Sequence, residues 1–321
     1  MPTVLILGAG ASRPFGFPTG KDLFERIAGM AGMGVIGDKL GKKPDTLFSG
    51  LKVHGEYSES TIRKFANELR NSGLLSVDEF LARRQEWDGL GKAAMAEVLL
   101  EAERTSDLFG DVTHGEAENW YRLLFSKLNR SFEDFGGNQI SVITYNYDRS
   151  LEKFLVTALG ASFNKPPRES AAMVSTLRII HLHGQLTPLR EFDEKEGLEY
   201  GVKSWRQVLT QCASDMKIIH QADEEEPAFR EARELLGKAK RVVFLGFGYG
   251  RSNLERLKIR ELEGSGERFI FGTCLGFSDA ERSEIEAYLR PAGAVRLGGP
   301  STGISSFLHE CGALKLMDYR Y

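Results

Sequence analysis

Thr3-Val4-Leu5-Ile6-Leu7-Gly8-Ala9-Gly10-Ala11-Ser12 stands at the start of the chain and decides its fold. Apolar and β-branched residues in an unbroken run suit a strand buried on both faces, as in parallel sheets covered by helices. The small residues that follow let the backbone approach a ligand or another loop closely, and strand, glycine turn and helix in that order make the first unit of a doubly wound sheet. Apolar runs of the same character lie at Ile140–Thr144, Leu177–Leu182, Arg241–Leu245, Arg268–Phe271 and Ala294–Leu297. Helical patterns cover Gly20–Ala28, Val77–Arg84, Ala93–Glu103, Glu116–Leu128, Arg149–Leu159, Ala228–Lys238 and Asp279–Leu289. Ser76 with Glu79, and Ser278 with Glu281, have capping-box spacing.

The expected fold is therefore α/β, a doubly wound, mostly parallel, Rossmann-like sheet forming a single unit over residues 1–321. Its core is expected at about 1–29, 136–190 and 236–321. Helical insertions are expected at about 30–135 and 191–235. In the second of these the acidic run Asp223–Glu226 reads as a solvated helix end or loop.

The 321 residues carry 42 Lys plus Arg against 45 Asp plus Glu, a formal charge of −3, which argues against a surface built mainly for nucleic acid. Cys212, Cys274 and Cys311 are too few and too scattered for a disulfide framework, and no CxxC pair exists to hold zinc, so no metal is expected. The opening apolar run is too short to span a membrane and has no basic leader. A cytoplasmic protein is expected.

Gly8, Ala9, Gly10, Ala11 and Ser12 suit a phosphate-binding turn, although such a turn also occurs as a plain strand-to-helix connection. The spacing G-x-G-x-x-G would place a third glycine where Arg13 stands, and Gly29–Gly34 is no second strand ending in an acidic residue. Both features count against a hydride-transferring dehydrogenase. Later strands end in Thr144-Tyr145-Asn146-Tyr147-Asp148, His181-Leu182-His183-Gly184 and Leu245-Gly246-Phe247-Gly248-Tyr249-Gly250, putting polar or small residues where open α/β sheets bind ligands.

Taken in order, these elements resemble the sirtuin superfamily, and especially the bacterial sirtuin-like NAD-hydrolase domains of anti-phage defence. Gly8–Ser12 is similar to that family's phosphate loop, and Gly16-Phe17-Pro18 to its Gly-Ile-Pro segment. Thr144–Asp148 resembles its Gln-Asn-x-Asp element, and His183-Gly184 its catalytic His-Gly. Gly246-Phe247-Gly248 stands in place of its Gly-Thr-Ser turn. The resemblance implies NAD as substrate, with Asn146 orienting the ribose or the attacking water and His183 as general base. Asp148 would hold the nicotinamide carboxamide, while the first loop with Pro18 and Thr19, together with Gly246, Phe247 and Gly248, would bind the rest of the dinucleotide. It also implies a homo-oligomer, or a complex with a second defence protein such as an ATPase-helicase or an Argonaute-type nuclease.

The chemistry is coherent. Loss of neutral nicotinamide leaves an oxocarbenium-like ribose, and an amide with a nearby imidazole can place a water or activate a hydroxyl on the opposite face. Plainer roles compete. Asp148 can cap the helix after it, Asn146 can satisfy a turn amide, and Asn253 reads as a helix cap before Leu254. His181 and His183 share one strand face by alternation, and His181 is assigned to a satisfied core position. The chain departs from deacylating sirtuins in having Thr19-Gly20-Lys21 in place of Asp-Phe-Arg and in lacking the zinc ribbon. Hydrolysis of NAD is thereby favoured over protein deacylation or ADP-ribosyl transfer. A non-catalytic NAD or ADP-ribose sensor is the further alternative.

Overall fold

The computed structural model describes residues 1–30, 50–51, 57–110, 119–128, 131–218, 226–262, 268–312 and 314. The six apolar runs become β1 (Thr3–Leu7), β2 (Ile140–Thr144), β3 (Ile179–His181), β4 (Arg241–Leu245), β5 (Phe269–Gly272) and β6 (Ala294–Leu297). They form one sheet in the order β3-β2-β1-β4-β5-β6, every neighbouring pair parallel. Strand order therefore reverses between β1 and β4, the position at which doubly wound sheets open a ligand crevice. The α/β class expected from the sequence is the class observed.

Helices cover both faces. In chain order they are α1 (Gly20–Gly29), α2 (Glu59–Asn71), α3 (Val77–Arg83), α4 (Asp88–Thr105), α5 (Trp120–Leu128), α6 (Ser150–Phe163), α7 (Pro167–Val174), α8 (Leu209–Asp215), α9 (Pro227–Lys238), α10 (Arg251–Arg256), α11 (Asp279–Leu289) and α12 (Ile304–Cys311). Strand alternation divides the core in two. Leu5, Leu7, Val142, Val243 and Leu245 pack with α1 to α8 and α12, while Val4, Ile6, Ile143, Val242 and Phe244 pack with α9, α10 and α11. The helices of the first insertion thus share a core with the sheet's own face.

Local chemistry explains the starts. Thr19 and Asp22 form a reciprocal capping box on α1, as Ser278 and Glu281 do on α11. Ser76 caps α3 in one direction only, accepting from the Glu79 amide at 3.4 Å. Helix α4 begins at Asp88, five residues before the periodicity suggested, because Gly91 is a contact point and not a breaker. A Cβ there would stand 2.6 Å from Leu81 side-chain atoms. Helices α7 and α12 were not anticipated, α2 and α8 fall within the expected helical insertions without having been delimited, and α10 begins at Arg251 and not after Asn253. The polar stretch after Glu191, expected to be helix-rich, is mostly turns up to the 3-10 turn Trp205–Val208 and α8. Of its acidic run, 223–225 lie outside the described residues, and Glu226 pairs with Lys217 at 3.1 Å. Among the described residues, no helix is long and apolar enough to cross a membrane.

One buried ion pair ties the layers together. Arg149, fully buried directly after the β2 loop, meets Glu103 of α4 in a bidentate pair, Nε to Oε1 at 2.8 Å and Nη2 to Oε2 at 2.7 Å. Its Nη1 donates to the carbonyls of Thr187, Pro188 and Leu198, and Nη2 to that of Glu199. The guanidinium is saturated, so its desolvation is compensated. Removing the anion alone leaves a buried uncompensated charge. Glu103→Gln is expected to lower stability by about 3–5 kcal/mol, measured by denaturant unfolding; a loss under about 1 kcal/mol would show the pair to be incidental.

Candidate functional site

The register sets the geometry. Leu7 pairs with both Thr144 and Leu245, and Thr144 pairs with His181, so β1 to β4 end at one level. Whatever follows these residues emerges along a single sheet edge. Backbone bonds carry the alignment one step further: Tyr145 donates to Leu7 O, Gly8 to Leu245 O and Leu182 to Thr144 O.

At the switch between β1 and β4, two glycine turns touch backbone to backbone. Gly246 has φ +55°, and a Cβ there would lie 2.1 Å from Ala11 N. A Cβ on Gly8 or Gly10 would meet Gly246 O at 2.6 or 2.8 Å. These three positions need glycine before any ligand is considered. The contact also consumes donors. Gly8 N serves Leu245 O, Gly10 N serves Gly246 O, Ala11 N serves Gly8 O, and Gly246 N serves the Thr273 hydroxyl. The open amide cradle expected of this loop is thus largely used within the protein. Arg13, where a third glycine would stand, puts a half-exposed guanidinium beside the loop, 3.9 Å from Asp22. Support comes from the insertion, since Trp120 of α5 donates its indole N–H to Ala11 O at 2.8 Å and Tyr121 stacks on Phe15.

Asn146 and Asp148 meet this loop. The Asn146 Nδ2 donates to Gly8 O at 3.0 Å and to Ser12 Oγ at 3.2 Å. Ser12 in turn donates to Asp148 Oδ2 at 2.7 Å. Asp148 Oδ1 accepts from the Ser150 amide at 3.1 Å and from its hydroxyl. Both carboxylate oxygens thus hold protein donors just before α6, whose N-cap is Arg149 without a side-chain cap, so Asp148 ties the loop to Ser150 and is not itself the cap. Burial raises its pKa, and the Ser150 and Ser12 hydrogen bonds oppose that rise. Asn146 Oδ1 is buried and has no hydrogen-bond partner. It is the free end of an otherwise clamped amide.

The histidines do not share a face, because strand alternation ends with β3 at His181 and the chain turns through Gly184 at φ +70°. His181 joins Glu152 of α6 at 2.6 Å and the Asn146 carbonyl at 2.9 Å. Burial opposes its charge, but the Glu152 carboxylate more than offsets this and raises its pKa. It is a satisfied position. His183, 3% exposed, sits on the other side among Tyr145 and Phe229, with ring centroids at 5.5 and 5.9 Å. Neither of its nitrogens has a hydrogen-bond partner. Burial, helped by the charge of Arg256, pushes its pKa down to about 4. No hydrogen bond joins it to Asn146 among the described residues.

Two cavities flank these groups. One of about 280 Å³ lies over the switch, lined by Ala9, Gly10, Arg13, Gly248, Thr273 and Thr302 among others. Thr19, Gly246 and Phe247 reach it too. Pro18 instead lines an adjoining hollow of about 440 Å³ with Arg13 and Arg26. The larger cavity, about 590 Å³, runs beside edge strand β3 and includes His181 and Glu152. Asn146 and His183 line none of the three. Asn253 does not cap: Gly250 precedes α10, and Asn253 lies inside the helix with Oδ1 buried and unpartnered. Its carbonyl accepts from the Tyr145 hydroxyl at 2.7 Å. Sequence reasoning did not single out Trp120, Tyr145 or Arg256, because bulky residues at helical spacing read equally well as core. No protein-family model matches the chain, and no curated protein matches it.

Two outcomes follow from this geometry. Gly246→Ala forces a side chain into left-handed backbone and into Ala11, and is expected to cost roughly 1–3 kcal/mol in unfolding free energy; an unchanged denaturation midpoint would contradict the contact. His183 binds its proton less readily folded than unfolded. Stability attributable to it therefore falls as pH drops from about 6.5, its ordinary value, toward about 4. His183→Phe is expected to lose less stability than the parent between pH 7 and pH 5. Equal losses in the two proteins would show that His183 is not the buried neutral base described.

Proposed function

We propose that this chain is an NAD glycohydrolase of sirtuin-like type, cleaving the nicotinamide–ribose bond to release nicotinamide and ADP-ribose, and that it acts as a defence effector by depleting NAD. The observation that carries the reading is the Asn146 amide, clamped by its nitrogen to the first glycine loop while its oxygen stays buried and unpartnered. An acceptor held this way costs free energy until a hydroxyl or water donates to it. A ribose hydroxyl or the attacking water is such a donor, and fixed placement of either lowers the barrier by orientation. In this reading the adenosine and pyrophosphate occupy the cavity over the switch, near Thr273 and Arg13, and Asp148 acts through Ser12 by holding the loop. The resemblance makes His183, neutral at pH 7, the acceptor of the proton lost by the attacking group, although its ring packs between Tyr145 and Phe229 and lines none of the three cavities.

A second reading draws on a specific observation. An imidazole with pKa about 4 is a weak base at neutral pH, which favours a protein that binds the nucleotide without turning it over. Mass analysis of products after incubation with NAD, over a range of protein concentrations that allows for assembly, separates the two. Nicotinamide and ADP-ribose are expected, and Asn146→Ala is expected to slow their release about a hundredfold or more while circular dichroism stays unchanged. Undiminished turnover in Asn146→Ala overturns the reading. Saturable binding of intact NAD with no product at any concentration supports the non-hydrolysing alternative.

A further inference from the structure

On the face of the sheet covered by α9, α10 and α11, a group of buried polar atoms has no partners. Arg256, at the end of α10, is 9% exposed, and its Nη1 is buried without a hydrogen bond. No carboxylate pairs with it among the described residues. Glu255, its neighbour, is taken by Arg251 at 2.7 Å. Arg233 of α9 adds a second cation, donating to the Arg256 carbonyl at 3.2 Å. The Arg256 guanidinium lies 4.7 Å from the centre of the Phe229 ring, a weak compensation for a buried cation. The same ring packs against His183, whose two nitrogens are also unpartnered. Asn253, one turn before Arg256, has a buried and unpartnered Oδ1, and its backbone is tied by the Tyr145 hydroxyl to the ring that covers His183.

An unpaired guanidinium is among the least favourable groups to bury, and nearly all such groups meet an anion. Within the same molecule Arg149, which is fully buried, is bonded to a carboxylate and four carbonyls, whereas Arg256, 9% exposed, has a buried Nη1 with no partner. Arg256, His183 and Asn253 line none of the three cavities, but their neighbours reach two of them. Gly184 and Ala228, adjacent in sequence to His183 and Phe229, line the larger cavity, and Phe247, whose ring packs on Tyr145, lines the cavity over the switch.

We propose that Arg256 and His183 form a binding subsite for an anionic group of the phosphate or carboxylate class, separate from the glycine loop. A tetrahedral or planar anion offers acceptors to the guanidinium and to an imidazole N–H. The subsite rests on unpartnered charge and not on NAD turnover. It also gives His183 a partner whose presence favours the protonated ring.

The test follows the imidazole C2 proton of His183 by NMR, assigned with His183→Phe, while inorganic phosphate, acetate or AMP is added at constant ionic strength. Saturable displacement of that resonance is expected with at least one of the three, with the His183 pKa rising by about one unit. A response to AMP alone assigns the anion to a nucleotide, to phosphate and AMP alike a free or esterified phosphate, and to acetate a carboxylate ligand. In Arg256→Gln the displacement is expected to disappear, and in Arg256→Lys, which keeps the charge, to survive in weakened form. No saturable displacement by any of the three in the parent protein overturns the proposal, as does an undiminished displacement in folded Arg256→Gln. Should Arg256→Gln fail to fold, the parent's response and that of Arg256→Lys decide the matter.

Discussion

Two glycine turns that touch with no side chain between them set the top of this molecule. Gly8 and Gly10 on one side and Gly246 on the other bring the ends of β1 and β4 together, and Gly246 reaches that contact only in left-handed backbone. The groups at the switch are arranged around it. The Thr273 hydroxyl is held on the Gly246 amide, the Asn146 amide on the Gly8 carbonyl, and the cavity over the switch opens beside the joined turns. The strand order β3-β2-β1-β4-β5-β6 makes such a contact possible because β1 and β4 are neighbours from which the sheet winds in opposite directions.

Buried polar groups here fall into two kinds. Arg149 with Glu103, His181 with Glu152, and Asp148 with Ser12 and Ser150 are completed within the protein and join separate segments of chain. Asn146 Oδ1, the His183 ring, Asn253 Oδ1 and Arg256 Nη1 are left open. The first kind resembles scaffolding: each bond has a defined partner, and its loss exposes a desolvated charge. The second concentrates at or just below the carboxyl ends of β2 and β4 and the turn after β3. Glu191 Oε2 and Arg282 Nε, away from these strand ends, are open as well, so an unpartnered atom alone does not mark a site.

Much of the sheet was legible because buried parallel strands advertise themselves. Val4–Leu7 and Val242–Leu245 are unbroken apolar runs, and both were placed within a residue of their observed ends. Glycines were harder to read. The helix expected from Ala93 begins at Asp88 and runs through Gly91, where α4 meets Leu81. Gly8 and Gly246 looked like open cradles and proved to be packed on each other. The pairing of His181 with His183 failed because alternation holds only while a chain remains a strand. Asn253 failed as a cap because α10 begins two residues earlier, at Arg251.

By itself the sequence determined the α/β class, the extents of β1, β2, β4 and β6, the capped starts of α3 and α11, and the polar residues emerging at the sheet's upper edge, because apolar periodicity and side-chain capping act over a few neighbouring residues; β3 proved three residues long, shorter than the run Leu177–Leu182. Tertiary structure alone decided which of those groups are spoken for. Whether a glycine amide is free, whether Asp148 meets a serine or a ligand, and whether Arg256 meets a carboxylate depend on residues tens to hundreds of positions away. Hydrogen-bond satisfaction is a property of the packed interior, and no local pattern encodes it.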